Sequence, residues 1–359
     1  MIKKHLAYLQ NLLDKNSLDA VLISSLSNII HLTNFSHFTD LEREAYILIT
    51  KKDQFIFTDA RYSHAVKTQL KNFQLLEIST NNSFTKHLQK LMAEKEIKKL
   101  GVEENNITVT EHKRLTSIFK ESVHIELKNF RVAKTDLEIN NIKKACAIGD
   151  KTFSYILKKI KLGMTEKEIA FLLETFIRKQ GAEISFPSII AFGANAAVPH
   201  HKTGIKKLTA NNFILMDFGV QYENYCSDMT RTIFFGKATK EPKKVYQVVK
   251  EAQKLAINYI QKHDSILASE VDKIARDYIT KNGYDTIPHS LGHGIGLQVH
   301  EAPSLSPNSK DLLTEGMVFS IEPGIYLNDK FGVRIEDLFA IQENKLVQLT
   351  KSETNLIEI

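Results

Sequence analysis

The apolar run Phe213-Ile214-Leu215-Met216 stops on Asp217-Phe218-Gly219, and a second run, Thr232-Ile233-Phe234-Phe235, follows Cys226-Ser227-Asp228-Met229-Thr230-Arg231. Both runs have the length and composition of strands of one ladder. A carboxylate at the end of such a run is costly to bury unless it is paired or bound to a metal. If the two strands pair as a hairpin, Asp217 and Asp228 converge on one face of it. Either acid alone reads as a capping or turn residue. The inference therefore rests on what the rest of the chain adds.

Three further segments repeat the pattern of an ionisable group inside or beside an apolar or glycine-rich run. They are His289-Ser290-Leu291-Gly292-His293-Gly294, Ser320-Ile321-Glu322-Pro323-Gly324 and Val333-Arg334-Ile335-Glu336-Asp337. Four carboxylates (Asp217, Asp228, Glu322, Glu336) and one histidine (His293) suit a pair of divalent ions. So oxygen-rich a set favours Mn²⁺, with Co²⁺ or Zn²⁺ also fitting. Two ions about 3.5–4 Å apart can bridge one hydroxide and polarise a scissile carbonyl. Other matches fail. Asp217-Phe218-Gly219 resembles a kinase motif without the His-Arg-Asp loop, and Gly292-x-Gly294-x-x-Leu297 lacks the third glycine of a dinucleotide fingerprint. His289 and His293 are spaced like a helical zinc pair, but the surrounding glycines oppose a helix and Ser290 stands where a zincin needs glutamate. A two-metal phosphoesterase would need a phosphate-cradling loop, which is not found.

Outward from these segments, Thr135/Glu138 and Thr165/Glu168 form capping boxes that predict two amphipathic helices. The first carries Ile142, Ala145, Cys146 and Gly149 on one face, and the second ends at Gly181. Further helices are predicted over about 241–262 and 269–281, then glycine-rich strands from 288 to 336. Before residue 130 the texture changes. Ala20-Val21-Leu22-Ile23, Tyr46-Ile47-Leu48-Ile49 and Phe55-Ile56-Phe57 read as strands, the last two a hairpin through Lys51-Lys52-Asp53, with helices near 62–70, 84–97 and 110–119. The expectation is a small α/β domain over 1–130 and an α+β domain over 131–359 that holds all the chemistry.

A net charge of +6 could suggest nucleic acid, but the lysines fall in scattered pairs and no basic run interleaves with aromatics. Cys146 and Cys226 are too few for a disulfide framework and suit a reducing compartment; Cys226 reads as packing. Leu6, Leu9 and Leu13 make the N-terminus an amphipathic helix and not a signal peptide, and no run reaches the ~18 apolar residues of a membrane span. The expected location is cytoplasmic.

Taken jointly, the order and spacing of Asp217, Asp228, His293, Glu322 and Glu336 resemble the metallopeptidases of the pita-bread fold. The likeness extends over Gly163-Met164-Thr165-Glu166, Phe192-Gly193-Ala194-Asn195, Ala197-Val198-Pro199-His200-His201, His300-Glu301-Ala302-Pro303 and Ile321-Glu322-Pro323-Gly324-Ile325-Tyr326. Asn28-Ile29-Ile30-His31-Leu32-Thr33-Asn34-Phe35 and Thr58-Asp59-Ala60-Arg61-Tyr62 are similar to the N-terminal domain of the Xaa-Pro and creatinase branch, though Asn34 replaces a common glycine and His31 a tyrosine.

The resemblance implies a creatinase/prolidase-like N-terminal domain and a pita-bread catalytic domain. Two divalent ions would be held by Asp217, Asp228, His293, Glu322 and Glu336, with Glu322 also taking a proton from the bridging water. His200 and His300 would flank the scissile bond, and His289, Arg334 and Tyr326 would meet substrate or shape the pocket. His201 reads as a neighbour of His200 and no more. The implied activity is dinuclear-metal hydrolysis of the N-terminal Xaa-Pro bond by a metal-bridging hydroxide, as in an Xaa-Pro aminopeptidase; the alternative is an Xaa-Pro dipeptidase (prolidase). A non-catalytic binding module on the same fold is disfavoured because no ligand residue is missing. Short peptides with proline second are the implied partners, and a homodimer the implied assembly, with residues 31–39 and 60–64 near the partner's pocket.

Overall fold

Alternation along the first apolar run organises the N-terminal unit. In Ala20–Ile23 (β1), Ala20 and Leu22 point to one face and Val21 and Ile23 to the other, and all four are buried. Such a strand needs cover on both sides. Helices Ile2–Lys15 (α1), Leu26–Thr33 (α2) and Ala60–Gln69 (α3) supply Leu9, Leu13, Ile29, Leu32 and Val66 to one layer. Phe84–Glu94 (α4) and Val109–Thr116 (α5) supply Leu88, Leu91 and Leu115 to the other. The sheet between them adds Ala45–Thr50 (β2), Gln54–Asp59 (β3), Gln74–Ile78 (β4), Lys99–Glu103 (β5) and Glu121–Ile125 (β6), in the order β4-β3-β2-β1-β5-β6. β2 and β3 form the antiparallel hairpin through 51–53. The helices start where side chains of Asp59, Ser83 and Thr108 accept from the first turn, which moves their ends by a few residues from the periodicity-based limits. Asn34 sits at φ 57° and caps α2, so the loop that glycine would make is made by the residue type that best tolerates the left-handed region.

This computed structural model describes residues 2–39, 41–119 and 121–359, and the chain divides into Met1–Arg131 and Val132–Ile359. Both capping boxes of the second unit form, opening Asp136–Leu157 (α6) and Glu166–Lys179 (α7). Gly181 follows α7 at φ 75°. Lys240–Lys262 (α8) and Ala268–Lys281 (α9) are the second helix pair. α6 and α7 bury Ala145, Phe153, Ile169 and Leu173 against a sheet of Ile189–Phe192, Asn212–Phe218 and Met229–Phe235. α8 and α9 bury Val245, Val249, Val271 and Ala275 with Phe319, Ile321 and Phe339. Those last residues belong to a five-stranded sheet, ordered Glu301–Leu305, Gly292–Gly294, Val318–Ile321, Asp337–Gln342 and Lys345–Gln348. Strands of both sheets end at one cavity. Among the described residues no helix is long and apolar enough to cross a membrane.

Candidate metal centre

Register decides which side chains meet. Asn212–Phe218 pairs antiparallel with Met229–Phe235, Phe218 opposite Met229 and Asp217 opposite Thr230. Asp228 is two residues from Thr230, so Asp217, Asp228 and Thr230 share a face. From the second sheet, the N–H of Glu336 donates to the Thr230 carbonyl (3.1 Å), and the Thr230 hydroxyl donates to Glu336 Oε2 (2.7 Å). That carries Glu336 onto the same face. His293 lies mid-strand between Gly292 and Gly294. A Cβ on Gly292 would sit 2.0 Å from the Ser320 carbonyl oxygen, and one on Gly294 2.0 Å from that of Ala302. Only glycine admits such contact, which fixes where the imidazole emerges.

His293 Nε2 then lies 3.3 Å from Glu322 Oε1, 3.8 Å from Asp228 Oδ2 and 4.0 Å from Glu336 Oε1. Its Nδ1–H donates to the Gly294 carbonyl at 3.1 Å, which leaves Nε2 turned towards the carboxylates, the arrangement of a metal-ligating histidine. Asp217, Asp228 and Glu336 are buried and Glu322 is partly so, and Asp217 Oδ1, Asp228 Oδ1 and Glu336 Oε1 have no hydrogen-bond partner. Orphaned, inward-facing oxygens are expensive unless a cation answers them. The donor set therefore fits hard or borderline divalent cations.

The electrostatics agree. Burial, then repulsion from Glu336, Asp217 and Glu322, pushes the Asp228 carboxyl well above its usual range. Glu336 is raised in the same way by burial and by Glu322 and Asp217, and Asp217 by burial in spite of Arg334. Burial opposes charge on His293, but its bond to Glu322 prevails and lifts it to about 9. Burial would raise Glu322, yet His293 holds it down at about 2.

A pH test follows for metal-stripped protein. Groups with raised folded values stabilise the fold below their unfolded values, near 4 for the acids and 6.5 for histidine, and that stability is lost as pH climbs through the folded values. His289 and His300 are pushed down by burial and act in the opposite sense around pH 6.5. Between pH 7 and 9 His293, lifted to about 9, sets the sign, and the raised acids and the buried thiols of Cys146 and Cys226 act in the same sense. Scanning fluorimetry of stripped protein should show Tm falling across it, and Mn²⁺ raising Tm by more at pH 9 than at pH 7. A flat or rising profile contradicts the crowding.

Around these groups runs a cavity of about 460 Å³ lined by Phe186, Ile189, Pro199 and Val299, the imidazoles of His200, His289 and His300, and Arg334. The His300 ring stands edge-on to that of His293, centroids 4.3 Å apart. His289 Nδ1–H donates to the Ser290 carbonyl (2.8 Å), so its Nε2 accepts from the Tyr326 hydroxyl (2.8 Å). Both ring nitrogens are thus engaged inside the protein. Tyr326 is not among the residues lining the cavity; it stands behind His289 and also accepts from Arg334 Nη1 at 2.9 Å. Arg334 Nη2 donates to Asp217 Oδ2, Nε to the Thr230 hydroxyl (3.1 Å) and Nη1 to the Pro199 carbonyl (3.3 Å). The apolar walls Phe186 and Ile189 and the strut Thr230 carried no ionisable signal in the sequence, and only register places them here.

Two layered α/β units, the second a pita-bread domain with an acid-and-histidine cavity, define the class, a two-domain hydrolase of metallopeptidase type. The chain belongs to metallopeptidase family M24, which it matches over residues 140–343, and residues 5–132 match the creatinase/prolidase N-terminal domain. An Xaa-Pro dipeptidase of Pyrococcus horikoshii is 36% identical over 96% of each chain. Among solved structures, an Xaa-Pro dipeptidase from Bacillus anthracis superposes with TM-score 0.93 at 33% identity, covering all of both chains. An X-Pro aminopeptidase from Thermotoga maritima gives 0.85 at 35% identity, covering 96% of this chain and 98% of that one.

Proposed function

We propose that this protein is an Xaa-Pro aminopeptidase using two divalent ions, Mn²⁺ by preference, held by Asp217, Asp228, His293, Glu322 and Glu336. When bound, such a pair supplies Lewis acidity and an activated water. The chain does the rest. Glu322, which lines the cavity beside His293 (3.3 Å), accepts the proton of the attacking water. His200 and His300 flank the scissile carbonyl and donate to its oxygen as it gains charge. Burial keeps His300 neutral near pH 7, so it retains one N–H to donate and one nitrogen to accept. Arg334 holds Asp217 and, through Thr230, Glu336.

The observation that carries the choice of aminopeptidase is the cation inventory. Among the described residues lining the cavity Arg334 is the one guanidinium and there is no lysine, and Nε, Nη1 and Nη2 of Arg334 are all engaged. A dipeptidase must meet the free carboxylate beside proline, and the cavity lining offers it only Arg334, whose guanidinium already faces Thr230, Pro199, Tyr326 and Asp217. The second reading, Xaa-Pro dipeptidase, is favoured by the names of two of the relatives above and by the three imidazoles, which can accept a carboxylate's charge. A Mn²⁺-supplemented digest separates them: kcat/KM for Xaa-Pro-Yaa peptides should exceed that for the matching Xaa-Pro dipeptides. Cleavage confined to dipeptides would establish the second reading.

His200→Ala and His300→Ala should each lower kcat by roughly 10²–10³, the usual cost of one lost transition-state hydrogen bond, with metal content unchanged by elemental analysis. A metal-depleted variant would move that histidine into the ligand set. A cytoplasmic homodimer, with 31–39 and 60–64 near the partner's pocket, belongs to the same proposal. Light scattering tests it, and a fully active monomer would remove it.

A further inference from the structure

His200 lies on a segment held locally by two backbone bonds, from the Val198 N–H to the Asn195 carbonyl and from the His201 N–H to the Val198 carbonyl (3.1 Å each). The preceding turn, Gly193–Ala197, is packed, since a Cβ on Gly332 would meet the Ala196 carbonyl at 1.9 Å. Beyond it Val198 is 53% exposed and offers no apolar anchor. The segment is instead gathered by one carboxylate. Glu166, the first residue of α7, is fully buried. Its Oε1 accepts from the Phe192 N–H (3.0 Å) and Asn195 Nδ2 (2.8 Å). Its Oε2 accepts from His201 Nε2 (2.9 Å) and the Gly204 N–H (2.9 Å). Donors before, within and after the segment thus converge on one anion, which the helix N-terminus also favours.

We propose that His201 is a positioning residue for catalysis: its bond to Glu166 fixes the segment on which His200 reaches the scissile bond. His200 lines the cavity and His201 does not. His201 is the donor next in sequence to His200, and the neighbouring Pro199 carbonyl is held from the other side by Arg334. Releasing His201 frees the backbone between these two holds. The inference rests on the reading of His200 given above.

The test is a double-mutant cycle in the Mn²⁺-loaded full chain, measuring kcat and KM on an unblocked Xaa-Pro-Yaa peptide. His201→Ala should lower kcat about tenfold, with KM and bound metal little changed. His201→Gln, whose amide can still donate to Glu166, should restore most of the loss. In a His200→Ala background, His201→Ala should have no further effect, because a residue acting only through His200 has nothing left to act on. If His201→Ala does not fold, Glu166→Gln, which removes one acceptor while keeping the shape, carries the same comparison. Wild-type kcat in His201→Ala, or losses that multiply across the cycle, overturns the proposal alone. Wild-type kcat in His200→Ala overturns the role of His200 and this proposal with it.

Discussion

Replacing Asp228 with alanine is expected to bring turnover to background and to remove one of the two metal ions proposed above. Asp228 is 4% exposed, one of its oxygens has no protein partner, and its other is 3.8 Å from His293 Nε2. It sits between Asp217 and Glu336, where one carboxylate can serve two cations at once. The variant should nonetheless fold, and its metal-free form should be more stable than metal-free wild type. Asp228 is the carboxyl on which burial and three neighbouring acids act together, so removing it relieves repulsion. Elemental analysis at saturating Mn²⁺, kcat, and Tm of both stripped proteins make the test. Two ions retained at full stoichiometry with kcat intact would falsify the assignment.

The opposed effects of that substitution mark what a sequence shows and what it hides. The candidate ligands were legible because chemistry makes them conspicuous: Asp217, Asp228, Glu322 and Glu336 each lie inside or beside an apolar run, where an acid is costly without a cation or partner. α6 and α7 were legible because their starts carry capping boxes, and α8 and α9 from apolar periodicity alone. β1, β2 and β3 were legible from unbroken apolar runs, whereas β4, β5 and β6 were not. Gln74–Ile78 is only half-buried at a sheet edge, and its Gln-Leu-Leu-Glu-Ile pattern is no more strand-like than loop-like.

The supports of the site were hidden for a different reason. Thr230 matters because register places it opposite Asp217, and Glu166 because four donors from a distant segment fold onto it. The same holds for Asp272, fully buried on α9, which accepts from Arg276 and from the Leu291 N–H while Arg276 reaches the Ile287 and His289 carbonyls. Asp272 carries no signal in the sequence, since nothing local distinguishes an exposed helical acid from a buried one. The Tyr326 hydroxyl meets both His289 and Arg334, a pairing that no motif spacing shows.

Cleavage is expected only at an unblocked N-terminus and, by a wide margin, only when proline is second. Proline makes the scissile amide tertiary, with no N–H to donate and φ held near −65°. A site that depends on that N–H gains nothing from such a bond. On the proposed reading His200 and His300 meet the oxygen, and Phe186, Ile189, Pro199 and Val299, which line the same cavity, offer apolar surface for the ring. Alanine in place of proline removes two carbons from that contact, at ~0.8 kcal/mol each, or roughly 15-fold in kcat/KM before any loss of rigidity. The amine matters more. A free N-terminus brings a cation or metal ligand to a cavity crowded with buried carboxylates, while an acetylated one brings neither. Leaving a buried charge unanswered costs roughly 2–5 kcal/mol, about 30- to 5,000-fold. Competitive digestion of Xaa-Pro-Yaa, acetyl-Xaa-Pro-Yaa and Xaa-Ala-Yaa peptides by Mn²⁺-loaded protein, followed by mass spectrometry, reads all three at once. Equal rates for the free and acetylated peptides would mean that the amine does not meet the acidic cluster. Equal rates for alanine and proline would mean that the apolar wall does not select the ring.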